Sequence, residues 1–196
     1  MTGGGEAPRA GRGGTEPSAW VRRFAERIPA GGTVLDLACG RGRHTRLLLA
    51  LGHPVVAVDR DVSAVADLDG ALEVVEIDLE DGRAFPLAER RFDGLVVTAY
   101  LHRPLLGALV EAVAPGGTLI YETFSSDHAR FGRPTNPDFL LHPGELLEVV
   151  RGHLRVVAYE DLVVPGPAAL QRICASRDPS ASTSAVRRCH ESVRGA

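Results

Sequence analysis

Residues 34–44 read Val34-Leu35-Asp36-Leu37-Ala38-Cys39-Gly40-Arg41-Gly42-Arg43-His44, and this stretch decides the fold. An apolar run passes straight into a turn with two glycines and then into a helix-forming segment. Such a run bounded by a glycine turn reads as a buried strand. Gly40 and Gly42 permit positive φ and let a ligand approach the backbone. The helix that follows offers unpaired N–H groups to an anionic moiety.

Working outward, the same alternation recurs. Residues 33–38, 54–59, 72–77, 92–98 and 118–124 read as five strands. Residues 44–51 read as a helix closed by Gly52, and Ser63 is placed to cap a short helix after the second strand. Residues 105–114 look helical and end at Pro115-Gly116-Gly117, and residues 144–151 form another helix capped by Gly152. Residues 154–164 and 170–175 resemble the arms of a closing antiparallel hairpin. Strands alternating with helices imply a parallel sheet covered on both faces. The expected fold class is therefore α/β: a doubly wound, mainly parallel seven-stranded sheet with helices on both faces and a C-terminal antiparallel hairpin. Upstream, Glu16 and Pro17 suit a first helical turn, and Trp20, Phe24 and Ile28 fall on one helix face. Trp20 and Phe24 read as core residues.

The bulk numbers fit one domain. The chain has 196 residues, 44% apolar and 24% charged, with a net charge of -3, so no basic face points to nucleic acid. Cys39, Cys174 and Cys189 form neither a disulfide framework nor a metal-binding spacing, and no metal is expected. No apolar run approaches bilayer length, and the Gly-rich start lacks a signal-peptide core. The expected setting is cytoplasmic. Residues 1–14 are expected as a disordered arm in which Arg9 and Arg12 are solvated, residues 15–177 as the folded domain, and residues 178–196 as a disordered tail.

Two carboxylates sharpen the reading of the glycine turn. Asp36 stands just before it, and Asp59 ends the second strand, nineteen residues after Gly40. An acid there can accept hydrogen bonds from ribose hydroxyls. Asp78 follows the third strand, where it could hold an adenine amino group beside the backbone of Leu79. Together these pieces resemble class I S-adenosylmethionine-dependent methyltransferases: DLACGRG after the first strand, AVD at the second, EIDL at the third, FDGLVV at the fourth and APGGTLIYE into the fifth. The resemblance implies S-adenosyl-L-methionine as cofactor. Its contacts would fall on Asp36, Ala38, Gly40 and Gly42 for the methionine portion, on Asp59 for the ribose, on Asp78 and Leu79 for adenine, and further on Arg60 and on Ala99 at the end of the fourth strand. Ala38 departs from the family pattern, which usually has Gly there; a negative φ at Ala38 would make the change harmless. YLHRPLL, YETF and FGRPTNPDFLLHPGELL are further similar to a bacterial branch related to tellurite-resistance and thiopurine-type methyltransferases.

Methyl transfer from a sulfonium demands alignment more than acid–base help. Residues after the fourth strand face that chemistry in the implied fold. Tyr100 and His102 are candidates for positioning a substrate or accepting its proton, and Arg103 for pairing with an anion. The long connection 125–143 suggests a substrate lid, with Phe131 and Phe139 as walls, Arg133 as an anion contact and Asn136 beside them. Cys39 reads as a small buried residue.

Two other readings compete. A nicotinamide-dependent oxidoreductase would want a third glycine where this chain has Thr45. A non-catalytic cofactor-binding protein would share every cofactor feature. The absence of a basic patch favours a small-molecule acceptor without nucleic acid or membrane as partner. The sequence does not order the acceptor atoms and is silent on oligomeric state.

Overall fold

The computed structural model describes residues 15–180. The expectations for residues 1–14, for residues 181–196 of the tail and for Cys189 lie outside them. The elements are α1 (Ala19–Phe24), β1 (Val34–Leu37), α2 (Arg43–Ala50), β2 (Val55–Asp59), β3 (Leu72–Glu76), β4 (Phe92–Thr98), α3 (Leu106–Ala112), β5 (Val113–Phe124), α4 (Glu145–Val150), β6 (Arg155–Val164) and β7 (Ala168–Ser176). They build one seven-stranded sheet in the order β3-β2-β1-β4-β5-β7-β6. The first five strands pair in parallel, and β7 runs antiparallel to both β5 and β6. This is the expected doubly wound architecture, closed by the expected hairpin.

Alternation along each central strand divides the core. Leu35, Leu37, Leu95, Val97, Leu119 and Tyr121 pack with α3 and α4 on one face. Val34, Val96 and Ile120 pack with Trp20, Val21 and Phe24 of α1 and Leu48 of α2 on the other. Each fully buried aliphatic side chain contributes roughly 1.5–3 kcal/mol. Among the described residues no helix is long and apolar enough to cross a membrane.

Local chemistry moves several boundaries from where sequence placed them. The first helix starts at Ala19, not in the Glu16-Pro17 turn, because the Ser18 side chain accepts from the Trp20 N–H as its cap. It tightens into a 3-10 turn at Ala25–Arg27, so Ile28 joins the Trp20 cluster from extended backbone. Ser63 caps no helix: its hydroxyl and amide both turn to the Asp61 carboxylate, and the chain there forms successive turns. The helix expected over 105–114 is a 3-10 turn at Arg103–Leu105 followed by α3. Pro115-Gly116-Gly117 does not interrupt β5. Gly116 N–H donates to Arg177 O and Arg177 N–H to Gly117 O, so the segment pairs beyond the end of β7.

The connection 125–143 is anchored. It holds two 3-10 turns, Ser126–Arg130 and Pro137–Phe139, and a bridge from Ser125 to Leu141. His128 is buried; its Nδ1 accepts from Ala169 N–H, which leaves the Nε2 proton to donate to Arg133 O. Arg103 clamps the far end. Its Nε and Nη2 grip the Glu145 carboxylate at 2.8 and 2.9 Å, while Nη1 and Nη2 donate to Asp138 O and Leu140 O, each at 2.8 Å. A bidentate pair with two carbonyls attached fixes both loop and helix. Replacing Arg103 with Ala is expected to lower stability by about 2 kcal/mol, since four charged hydrogen bonds disappear and Glu145 loses its partner. Thermal or urea unfolding would measure it, and an unchanged midpoint would dismiss the clamp.

Candidate active site

The strand order reverses between β1 and β4, and this opens a crevice beyond the carboxyl ends of those strands. Two non-glycine residues with positive φ stand there: Ala38 (φ 54) after β1 and Ala99 (φ 53) after β4. The register pairs Leu37 with Val97, so the two lie at the ends of adjacent strands. A left-handed alanine costs of order 1–3 kcal/mol, and such strain collects at functional sites. The negative φ expected of Ala38 is therefore corrected: the chain holds alanine in a conformation that glycine adopts freely.

The glycine turn is built by its neighbours. Cys39 N–H donates to Val58 O, and Gly42 N–H closes onto Cys39 O. Gly42 has φ 71, and a Cβ there would lie 2.2 Å from Val65 Cγ1, so this glycine is required by packing. Gly40, with φ 55, has open space where a Cβ would stand. Its N–H donates to Asp59 Oδ2 at 2.8 Å, while Asp59 Oδ1 accepts from Asp61 N–H. Asp59 is half-buried at the rim, next to exposed Arg60. Asp78 is exposed and accepts from Glu80 N–H, and half-buried Leu79 packs against the core.

Asp36 does not reach the rim. It is 2% exposed, and its Oδ2 accepts a 2.6 Å hydrogen bond from the Thr45 hydroxyl. Burial pushes its pKa up to about 6. The carboxylate thus supports the start of α2 from behind the turn, and its expected cofactor contact becomes a positioning role. Cys39 is buried, and burial pushes its thiol far above the usual range, as befits an inert residue.

Tyr100 is half-buried, with its hydroxyl oxygen enclosed beside the Glu80 carboxylate. Burial first, then the carboxylates of Glu80, Asp78 and Asp59, hold it well above the usual phenol range. It stays protonated at neutral pH, so it can donate a hydrogen bond but cannot serve as the proton acceptor envisaged from sequence. Its carbonyl is gripped by Tyr121 Oη at 2.9 Å. His102 is half-buried, and its carbonyl closes the following turn by accepting from Leu105 N–H. Arg103 is spent on the Glu145 clamp, which corrects its reading as an anion contact. Phe131 and Arg133 are exposed. Asn136 caps the Pro137–Phe139 turn by accepting from Asp138 N–H, and Phe139 is half-buried.

Sequence reasoning missed a polar row on the α1 face. The register places Thr98, Glu122, Arg172 and Glu160 directly opposite one another on β4, β5, β7 and β6. Ala99 N–H donates to Glu122 O, which sets Glu122 beside the strained rim. Arg172 Nε lies 2.8 Å from Glu122 Oε2 without an aligned hydrogen bond, and its Nη1 is 3.4 Å from Glu160. The guanidinium also lies over Trp20. A half-buried ion pair gives little stability that apolar packing would not supply. The visible signal was a glutamate inside the apolar run TLIYETF; its partner fifty residues on was not visible.

A family model described as a methyltransferase domain matches residues 34–117, which contain the switch point and the glycine turn. The chain is 36% identical over 106 residues to a ubiquinone biosynthesis O-methyltransferase of Paraburkholderia phytofirmans, covering 49% of this chain and 46% of that protein. The chain thus spans about half the length of the curated relatives it matches. Among solved structures, TehB of Haemophilus influenzae superposes with a TM-score of 0.61 at 19% identity, over 80% of this chain and 61% of that one. The 1,6-didemethyltoxoflavin-N1-methyltransferase of Burkholderia thailandensis gives 0.56 at 20% identity, over 82% and 79%. These likenesses confirm the class I methyltransferase fold.

Two substitutions test the energetics of the rim. Ala38→Gly is expected to raise stability by up to about 1 kcal/mol, the relief of αL strain less the added chain entropy. A lowered melting temperature would contradict the strain. Burial holds the Asp36 pKa up at about 6, above its ordinary value of 3.8, so the folded state binds the extra proton between those values. Stability falls as pH rises through that window. Asp36→Asn should therefore gain about 1–3 kcal/mol over the parent near pH 7.5, with the gap closing toward pH 4. A gap independent of pH in denaturant titrations would refute this.

Proposed function

We propose that this chain is an S-adenosylmethionine-dependent methyltransferase that moves a methyl group to a small-molecule acceptor by in-line displacement, with residues 15–177 as its catalytic unit. The observation that carries the reading is the rim itself: the open-sided Gly40 turn braced by Asp59, between two strained alanines at the switch point. A turn with room where a side chain would stand, and a carboxylate at the end of the next strand, fit an adenosyl group carrying an amino acid.

In this reading Ala38, Gly40 and Ala99 line the methionine portion, Asp59 and Arg60 the ribose, and Asp78 with Leu79 the adenine. Gly42 and Asp36 hold the turn in shape. When bound, the cofactor supplies a methyl carbon on a positively charged sulfur, already activated for displacement. The protein then has to align an acceptor and exclude water. Tyr100 offers a neutral hydroxyl donor toward the acceptor. Glu122, kept company by Arg172, and His102 are the groups available to take an acceptor proton. Phe131, Arg133, Asn136 and Phe139 belong to the acceptor side of the cleft, on an anchored connection rather than a swinging lid.

A small-molecule acceptor is supported by the toxoflavin-precursor methyltransferase, whose structure holds its small substrate and S-adenosylhomocysteine on this fold. The nicotinamide alternative is disfavoured because Thr45, at the place of the third glycine, is buried with its hydroxyl committed to Asp36.

Calorimetric titration with S-adenosylmethionine and S-adenosylhomocysteine tests the proposal. Binding is expected for both, weakened tenfold or more by Asp59→Ala, about the loss of one charged hydrogen bond. Folded protein that binds neither compound would overturn the reading.

A further inference from the structure

We infer that His44 is a positioning residue that latches residues 16–18 against the glycine turn, making this segment a wall of the cofactor cleft; the inference rests on the function proposed above. His44 is the second residue of α2, directly after the turn, and is 2% exposed. Its Nε2 lies 3.1 Å from Ser18 N and its Nδ1 3.3 Å from Thr98 Oγ1. A backbone N–H can only donate, so Nε2 is the acceptor and the ring proton sits on Nδ1, facing Thr98.

One neutral imidazole thus joins three parts of the molecule: the segment before α1, the helix after the glycine turn and the last residue of β4. Burial and the adjacent Arg43 push its pKa down to about 3, so the accepting nitrogen stays bare at ordinary pH. Arg43 adds a second tie, with Nη1 donating to Glu16 O at 3.4 Å. Glu16 is exposed and Pro17 and Ser18 are only half-buried. The segment has little apolar burial of its own; Glu16 pairs with Arg22 and Ser18 caps α1, and the two ties to Arg43 and His44 join it to α2. Thr98 precedes strained Ala99, so the imidazole ties the segment to the rim of the switch-point crevice.

The latch can be cut without touching the imidazole. Ser18 has φ -53, which proline adopts, so Ser18→Pro removes the donated N–H within the same backbone. Ser18→Ala keeps that N–H and removes only the side-chain cap on Trp20. Calorimetry with S-adenosylhomocysteine should show Ser18→Pro binding about tenfold more weakly than Ser18→Ala, the difference being the donated N–H. His44→Gln, whose side-chain oxygen can take the place of Nε2, should bind more tightly than His44→Asn, which is too short to reach Ser18; this pair decides the matter if Ser18→Pro does not fold. Equal affinity of Ser18→Pro and parent, equal weakening by both Ser18 variants, or His44→Asn matching His44→Gln would overturn the latch. A parent protein that binds no S-adenosylhomocysteine would instead overturn the functional reading, and the latch with it.

Discussion

The hydrogen bond from Gly40 N–H to the Asp59 carboxylate is the contact on which the rest of the rim depends. It ties the turn after β1 to the end of β2, two neighbours in the sheet. An N–H at a left-handed glycine has no ladder partner, and a strand-end carboxylate needs donors; each satisfies the other. With Asp59 also accepting from Asp61 N–H, the carboxylate is oriented by backbone on both sides. The turn then leads into α2 at a fixed angle, with the helix N-terminus directed at the crevice.

The rim is supported by groups that a stability-only design would avoid. A buried carboxylate bonded to Thr45, a neutral buried imidazole and a half-buried Glu122–Arg172 pair stand where apolar side chains would pack more simply. Two alanines hold left-handed backbone at strand ends. Such features persist only where the surrounding structure over-determines them. Here both faces of the sheet supply that surplus, through the Trp20–Leu48–Ile120 cluster on one side and the Leu35–Leu119–Tyr121 cluster on the other. Strain and buried charge gather on the crevice, and ordinary packing stabilises the rest.

Much of the architecture was legible because period and punctuation are local. β4 falls where its apolar run falls, β1 and β2 within a residue of it, and the hairpin arms where alternation resumes after Gly152. The errors share a cause. Ser63 chose the Asp61 carboxylate over a helix amide, the first helix waited for Ser18, and Pro115-Gly116-Gly117 joined a strand because Arg177 could pair with it. In each case a side chain or a remote strand outbid local propensity.

The amino-acid order alone determined the strand–helix alternation, the glycine turn and the acids at the strand ends, because hydrophobic period and chain geometry act over a few residues. Only the tertiary structure decided what each polar group does. Arg103 meets Glu145 across 42 positions, His44 meets Ser18 across 26 and Thr98 across 54. A buried polar atom must find a partner wherever the fold brings one within about 3 Å, and that choice is made by sheet order and packing, which no short stretch of sequence contains.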